Sequence, residues 1–567
     1  MQRIVECVPN FSEGRDRDKI DTITKTIESV SGVVLLDVDP GADTNRTVVT
    51  FVGDPDAAVE AAFLAIREAA RLIDMRKHSG AHPRMGATDV CPFVPVRGLT
   101  MDDCAELARR LGRRVGEELG IPVYLYESAA SRPERRNLAD VRSGEYEGLA
   151  KRAGKPEWAP DFGPDTHNEK SGATAVGARE FLIAYNVNLN TRSKPLAHDI
   201  ALDIRERGRR KRDADGTAVR DENGKFVMVP GKLQECKAVG WYIPEYGAAQ
   251  ISINLTNYHV TPVHAAFDAV VEGAAERGLR VTGSELVGLI PLEAVRRAGI
   301  HYLRRQGQPT GVPERELIHA AVRSLGLDDL TPFDPDEKII EYRLRREGAL
   351  VDRTVADFAD ELSTDSPAPG GGSVASLMGS LSAALTAMVT NLTIGKKGYE
   401  AAWEPLKETG YEAQTLKDAF RDDVDRDTDA FNELFAAMKL KKSTPEEAAA
   451  RDAAMLEATK KATEIPLGVL ERTVRAVELA GEVVEHGNRN SLSDAGVAAL
   501  AARACAEGAY YNVLINLAGL EDAEWSAGAR ERASVALERV RTVADGLTER
   551  VRRELEAQAG APQGSPG

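Results

Sequence analysis

The hydrophobic periodicity of this chain changes character once, near Thr354, and that change excludes a single continuous fold. Before it, short apolar runs alternate with amphipathic helical stretches in an order that occurs twice. Arg3–Asn10 reads as a strand and Asp18–Ser29 as a helix. Val33–Val38 and Arg46–Val52 read as strands around the turn Pro40-Gly41-Ala42-Asp43, Ala57–Leu72 as a helix and Val90–Val96 as a strand. The same β-α-β-β-α-β order returns in Glu180–Asn188, His198–Arg207, Ala238–Ile243, Gln250–Leu255, Val263–Arg277 and Arg280–Ile290. A unit of this order used twice is the ferredoxin-like plan, and two such units side by side leave a cleft between their sheets for a ligand.

After Thr354 the strand runs stop. Long helical patterns are expected at Ser373–Leu392, Leu406–Leu440, Pro445–Leu479, Ser493–Leu517 and Trp525–Glu556, with Pro466 kinking or splitting the third. The fold class is therefore multidomain. An α+β half of two ferredoxin-like subdomains, 1–178 and 179–331, is followed by a linker over 332–353. An all-α helical bundle takes 354–556, and a Gly/Pro/Ser-rich tail over 557–567 is expected to be disordered.

Charge and cysteine content narrow the function. The formal net charge of −16 over 567 residues argues against general affinity for nucleic acid. The basic run from Arg205 to Arg212 is followed at once by Asp213 and Asp215, which favours a solvated loop over a binding patch. Five scattered cysteines without CxxC spacing suit a reducing cytoplasm rather than a disulfide framework or a zinc ribbon. No membrane span is expected, and Met1-Gln2-Arg3-Ile4-Val5 leads straight into a strand pattern rather than a signal peptide.

Two segments of the α+β half carry chemistry. Lys77-His78-Ser79-Gly80-Ala81-His82-Pro83-Arg84-Met85-Gly86 holds two histidines four residues apart, but Gly80 and Pro83 argue for a loop, and the glutamate of a helical HExxH site is missing, so no metal is expected. A loop histidine flanked by Gly and Arg is a general-base candidate, because its pKa sits near neutrality; the alternative is a turn-capping histidine. Trp158-Ala159-Pro160-Asp161-Phe162-Gly163-Pro164, continuing to Ser171-Gly172, is a Gly/Pro-rich loop beside an aromatic, able to receive a flat ring or to serve only as a connection.

The segments Val5-Glu6-Cys7-Val8-Pro9-Asn10-Phe11-Ser12-Glu13-Gly14, Thr44-Asn45-Arg46-Thr47, His82-Pro83-Arg84-Met85-Gly86 and Asp161-Phe162-Gly163-Pro164 resemble glutamate formimidoyltransferase, over roughly 1–342. The resemblance implies that His82 is the catalytic base. It also implies that the loop Gly163, Pro164, Asp165, Thr166, His167, Asn168, Glu169, Lys170, Ser171 and Gly172 contacts folate. The implied substrates are N-formimidoylglutamate and tetrahydrofolate. Arg46 and Arg84 can then clamp carboxylates bidentately, or equally form structural ion pairs. A polar segment near 211–229, with the hairpin-turn signal Asp221-Glu222-Asn223-Gly224-Lys225, departs from the family pattern as an insertion, either an excursion or a lid.

In the helical half, Ala368-Pro369-Gly370-Gly371-Gly372-Ser373-Val374-Ala375 puts three glycines before a serine. Gly370, Gly371 and Gly372 can leave a helix N-terminus open to an anion, or allow tight helix packing. Downstream, the apolar stripe Leu416, Phe420, Val424, Phe431, Leu434 and Met438 is interrupted by Asp427, whereas Asp425 and Asp429 lie off it. A carboxylate on that line is either a proton carrier with a raised pKa or a structural cap or ion pair. The Ala368–Ala375 stretch, Val424-Asp425-Arg426-Asp427, Ser443-Thr444-Pro445-Glu446-Glu447 and Tyr511-Asn512-Val513-Leu514-Ile515-Asn516-Leu517 resemble formimidoyltetrahydrofolate cyclodeaminase over about 357–547, which implies a catalytic Asp427.

The expected whole is a two-step folate enzyme of histidine breakdown and one-carbon metabolism, with tetrahydrofolate, polyglutamylated or not, as co-substrate. No tightly bound cofactor is expected, and the resemblance implies a homo-oligomer joined through the helical domain. The alternatives are a formyl- or formimidoyltransferase fused to a methenyltetrahydrofolate cyclohydrolase, and a non-catalytic folate-binding scaffold.

Overall fold

Alternation of Val5 and Cys7 with Ile4 and Glu6 gives β1 (Ile4–Cys7) two faces, and Pro9, lacking an N–H for the ladder, separates it from β2 (Asn10–Phe11). The computed structural model describes residues 3–42, 44–80, 82–344 and 349–560. They fall into two units, one of Met1–Ala298 with Leu325–Arg345 and one of Gly299–Ser324 with Arg346–Gly567.

In the first unit, β1 and β2 are followed by α1 (Arg17–Glu28), β3 (Val33–Gly41), β4 (Arg46–Gly53), α2 (Pro55–Leu72), β5 (Thr88–Arg97), α3 (Met101–Leu119), β6 (Val123–Glu127) and β7 (Thr174–Ala178). The helices start where the sequence supplies caps: Asp16 accepts from the Lys19 amide, Asp54 precedes Pro55, and Thr100 forms a capping box with Asp103. The sheet runs β3, β4, then β1 and β2 end to end, then β5, β7 and β6. It is antiparallel as far as β5, and β7 lies parallel to both β5 and β6. Ile23, Ile27, Phe63, Ile66 and Leu111 from the helices bury the face made by Val5, Cys7, Phe51, Cys91 and Phe93.

A second sheet follows. Strands β8 (Ile183–Leu189), β9 (Cys236–Ile243), β10 (Ala248–Leu255) and β11 (Val281–Val287) lie in the order β9-β10-β8-β11, all antiparallel, with α4 (Lys194–Ile204) after β8 and α5 (Val263–Ala275) after β10. The segment near 211–229 is a hairpin excursion. Arg209–Arg210 pairs with Met228–Val229, Asp221 accepts the amides of Asn223 and Lys225, and the guanidiniums of Arg210 and Arg220 each lie 3.9 Å from the centre of the Phe226 ring. Arg209 in the basic run pairs with Asp199 and Asp203.

The first part of 332–353, read as a linker, is folded onto the first unit, and the division between the two units falls after Arg345. Pro335–Lys338 and Ile340–Arg343 are helical turns, Ile339 bridges to Ile290 in parallel, and Ile339 and Ile340 are fully buried. Burying two isoleucines is favourable enough to hold this stretch onto the first unit. Residues 345–348 lie outside the described residues.

The helical unit contains α6 (Gly371–Thr393), α7 (Trp403–Met438), α8 (Pro445–His486), α9 (Leu492–Leu517) and α10 (Ala523–Gly560). Its core gathers Phe420, Leu467, Leu470, Val477, Cys505, Val513, Leu537 and Val540. Among the described residues α6 is the one helix long and apolar enough to cross a membrane, at mean hydropathy 1.5, a feature the sequence reading passed over; 61% of that window is buried inside the protein, as for a core helix. Pro466 does not split α8, which runs unbroken through it. Proline removes the amide that would bond the Ala462 carbonyl, and Asn516 Nδ2 donates to that oxygen instead at 2.9 Å. The expected tail begins inside a helix, since α10 continues to Gly560, and 561–567 lie outside the described residues.

Candidate functional site

The His82 loop is fastened on three sides. Gly86 and Gly172 pair in a bridge, and a Cβ at Gly172, whose φ is +69°, would meet the Met85 carbonyl at 2.2 Å. The Asp89 carboxylate accepts the Met85 amide at 3.0 Å, and the Tyr146 amide donates to the Arg84 carbonyl at 2.9 Å. His82 itself is half-buried. Its Nδ1–H donates to the Pro83 carbonyl at 2.6 Å, which leaves Nε2 as the lone-pair nitrogen, in contact with Arg46 Nη1. Burial, followed by the Arg46 charge, holds the imidazole pKa below its ordinary value.

Arg46 and Arg84 separate in role. Burial brings the Arg46 pKa down to about 10, and its Nε–H is buried without a hydrogen-bond partner. Arg84 is not available as a carboxylate clamp. Its Nε donates to His78 Nδ1 at 3.2 Å, Nη1 to Glu145 and Glu147 at 3.2 and 2.9 Å, and Nη2 to Glu147 at 2.7 Å and to the His78 carbonyl at 3.3 Å. His78 Nε2 bonds the Asn45 carbonyl at 2.8 Å, so the two histidines serve different partners. Among the described residues no group of three His, Cys, Asp or Glu side chains comes together as a metal-ligand set.

The Gly163–Gly172 loop lies beside this one. Pro164, Asp165, Thr166, His167, Asn168 and Gly172, with Tyr124, line an open cleft. The remaining members are tied into the protein: the Ser171 carbonyl accepts the Ala87 amide, the Lys170 carbonyl accepts the Met75 amide, and the Glu169 carbonyl accepts the Tyr146 hydroxyl. Gly163 turns at φ +83° against the Ile121 carbonyl. The upstream loop is pinned by Asp161, which pairs with Arg135 at 2.6 Å with both side chains under a tenth exposed.

In the helical unit Asp427 sits at the N-terminus of α6. Ser373 Oγ donates to its carboxylate at 3.2 Å, and a Cβ on Gly372 would fall 2.2 Å from Asp427 Oδ1, so glycine there is what lets the carboxylate approach. Gly371 faces Asn512, and Gly370 is the N-cap. Burial raises the Asp427 pKa above the ordinary carboxylate value, while the Ser373 hydrogen bonds oppose that rise.

The apolar stripe does not by itself say which aspartates of α7 are buried. Asp425 is half-buried and accepts the Leu350 amide at 2.6 Å. Asp423 is wholly buried, paired with Arg426 at 2.6 Å and with Arg472 from α8. Met438, counted on the stripe, is 45% exposed. Sequence reasoning also missed Asn45, whose side chain donates to the Ser79 carbonyl at 2.9 Å and steadies the histidine loop, and Ser373 and Arg472. Asp423 was within reach, since it precedes Asp427 by four residues and so shares its helix face.

Fold and sites together define a class: a two-part enzyme with a histidine-loop centre on an α+β half and a carboxylate centre at a helix N-terminus in a helical half. Residues 4–179 match the family model described as the formiminotransferase domain, N-terminal subdomain, residues 184–345 the formiminotransferase domain, and residues 354–535 formiminotransferase-cyclodeaminase. The chain is 43% identical to the formimidoyltransferase-cyclodeaminase of Rattus norvegicus over 547 residues, 96% of this chain and 98% of that protein. It therefore belongs to the formimidoyltransferase-cyclodeaminase family. The first half alone is 45% identical to the glutamate formimidoyltransferase of Thermoplasma acidophilum, over 56% of this chain and 98% of that one. The helical part is 39% identical to the methenyltetrahydrofolate cyclohydrolase of Methylorubrum extorquens, over 36% of this chain and 97% of the relative.

Proposed function

We propose that this chain transfers the formimidoyl group of N-formimidoyl-L-glutamate to N5 of tetrahydrofolate, and then closes 5-formimidoyltetrahydrofolate to 5,10-methenyltetrahydrofolate with loss of ammonia. The observation that carries the reading is that each half holds a side chain placed to carry a proton, His82 with Nε2 as its lone-pair nitrogen and Asp427 against Gly372 and Ser373 at the N-terminus of α6. In the first step N5 attacks the formimidoyl carbon, His82 Nε2 takes the N5 proton, and the same proton goes to the departing glutamate nitrogen as the C–N bond breaks. Arg46, a half-buried arginine with a spare Nε–H, takes a substrate carboxylate, and its move toward that carboxylate uncovers Nε2. The Gly163–Gly172 loop and its cleft receive the folate.

In the second step N10 attacks the carbon carried on N5 in its protonated formimidoyl group, Asp427 takes the proton that N10 loses, and the same proton goes to the NH2 nitrogen, which leaves as ammonia as its C–N bond breaks. Because the attack is intramolecular, orientation by Gly370, Gly371 and Gly372 at the α6 N-terminus supplies much of the rest. Incubation with formimidoylglutamate and tetrahydrofolate, following methenyl absorbance and ammonia together, tests both steps. The identity to the Methylorubrum extorquens cyclohydrolase favours a second reading of the helical half, water addition to a methenyl group; hydrolysis of supplied methenyltetrahydrofolate without ammonia release from 5-formimidoyltetrahydrofolate would support it.

We read both β-α-β-β-α-β units as ferredoxin-like, since each places its second, third, first and fourth strands in that order across the sheet. The exposed apolar side chains Met378, Leu381, Met388 and Leu392 on α6 and Val497, Leu500, Tyr511 and Ile515 on α9 support a homo-oligomer joined through the helical domain, which sedimentation analysis would detect. The five cysteines are free and buried, which supports the cytoplasmic placement.

A further inference from the structure

The strongest unassigned cluster lies beneath the His82 loop. Asp89, on β5, is 1% exposed. Its Oδ1 accepts the Met85 amide at 3.0 Å and Arg142 Nε–H at 3.3 Å, and its Oδ2 takes Arg142 Nη2. One carboxylate thus joins a central strand, the loop three residues beyond His82, and the segment that follows the short helix Leu138–Val141. The same segment ties the loop a second time, through the Tyr146 amide and the Arg84 carbonyl at 2.9 Å.

We propose that Asp89 and Arg142 are the positioning pair of the transfer site: they anchor the His82 loop to the sheet and balance the charge that the imidazole meets. The proposal rests on the reading of His82 as the base. Isolated buried carboxylates are costly, and a fork-on-carboxylate pair is the arrangement that makes burial tolerable. The groups that bear on His82 are Arg46, Arg142 and Asp89, and Arg46 in turn feels Asp89, Arg142, Tyr126 and Asp39. Of the three on His82, two are cations that disfavour the imidazolium, and Asp89 alone favours it. Asp89 therefore keeps the base able to hold the proton it must later return, and Arg142 keeps it from holding that proton too tightly.

The pair acts on His82 with opposite signs, which a purely structural staple does not do. Loss of the Arg142 charge makes the imidazolium easier to form, so Arg142→Gln moves the acid limb of the transferase kcat/KM profile to higher pH. Asp89→Asn keeps an acceptor for the Met85 amide but removes the anion, and moves the limb to lower pH. Each shift is roughly half a unit to one unit. The melting transition of the α+β unit in the same full-length preparation reports that this half is folded. Should Asp89→Asn alone not fold, the doubly neutral Asp89→Asn/Arg142→Gln protein returns the limb close to its native position. Limbs that stay put, or move in one direction in both variants, overturn the proposal. His82→Ala separates the two levels. If it is inactive while neither limb moves, only the pair's role falls; if it retains full transfer, the His82 reading falls and this proposal with it.

Discussion

His82 and His78 show how four residues of separation place two imidazoles in unlike surroundings. His82 has its Nδ1–H committed to Pro83, whereas His78 is held between the Asn45 carbonyl and Arg84. His82→Ala is expected to lower transfer activity by about 10² or more and to leave cyclisation near normal. His78→Ala frees Arg84 from one partner and is expected to reduce transfer more mildly; equal losses measured in parallel assays would contradict the division. The aspartates of α7 divide in the same way. Asp427→Asn keeps shape and removes the proton, so transfer should persist, 5-formimidoyltetrahydrofolate should accumulate, and ammonia release should fall by about 10² or more. Asp423→Asn breaks a fully buried pairing with Arg472 and Arg426, and is expected to cost on the order of 3 kcal/mol of stability. Ammonia assays and melting temperatures on both variants tell the roles apart.

At the scale of the element, α8 persists through Pro466 because α9 supplies the missing donor. Asn516→Ala leaves the Ala462 carbonyl without its side-chain partner and is expected to destabilise the helical unit by about 1–3 kcal/mol. Pro466→Ala restores an amide at the same carbonyl, so the double variant should recover most of that loss, a coupling that denaturant melts of the two single variants and the double variant would measure. The α6 start follows a related logic. Gly372 and Gly379 remove side chains where Asp427 and the Phe420 ring press in, so glycine spacing sets both the approach of the Asp427 carboxylate and the packing of α6 on α7.

For the whole molecule, the pH dependence of stability is set in part by Glu6, a buried carboxyl in β1. Burial pushes its pKa up to about 7 despite the Arg179 charge. A carboxyl whose folded pKa is raised binds more protons folded than unfolded, so the stability it allows is present at acid pH and declines from about pH 4.5 to 7. The cost above pH 7 is about 3 kcal/mol. Glu6→Gln removes that titration and is expected to raise the melting temperature of the α+β unit at pH 8 while flattening its dependence between pH 5 and 7. Scanning calorimetry at those pH values checks it, and an unchanged slope would refute the assignment.

Periodicity alone determined the order of strands and helices in both repeats and the change to an all-helical half, because each element must present an apolar face at its own spacing. Long motifs such as His82-Pro83-Arg84-Met85-Gly86 carried the family and singled out His82 and Asp427. The sequence could not divide Arg46 from Arg84: both are arginines beside glycine-rich loops, and only the fold brings Glu145 and Glu147 onto one and leaves the other with a buried spare donor. Nor could it show that Pro335–Arg343 packs within the first unit, since Ile339 and Ile340 find their partners only when the distant Ile290 is placed beside them. The exposure of Asp423, Asp425 and Asp427 was likewise decided by what lies across from α7. One helix's phase says which residues share a face, whereas Ser373, Arg472 and Leu350 come from other elements and reach those carboxylates only through tertiary packing.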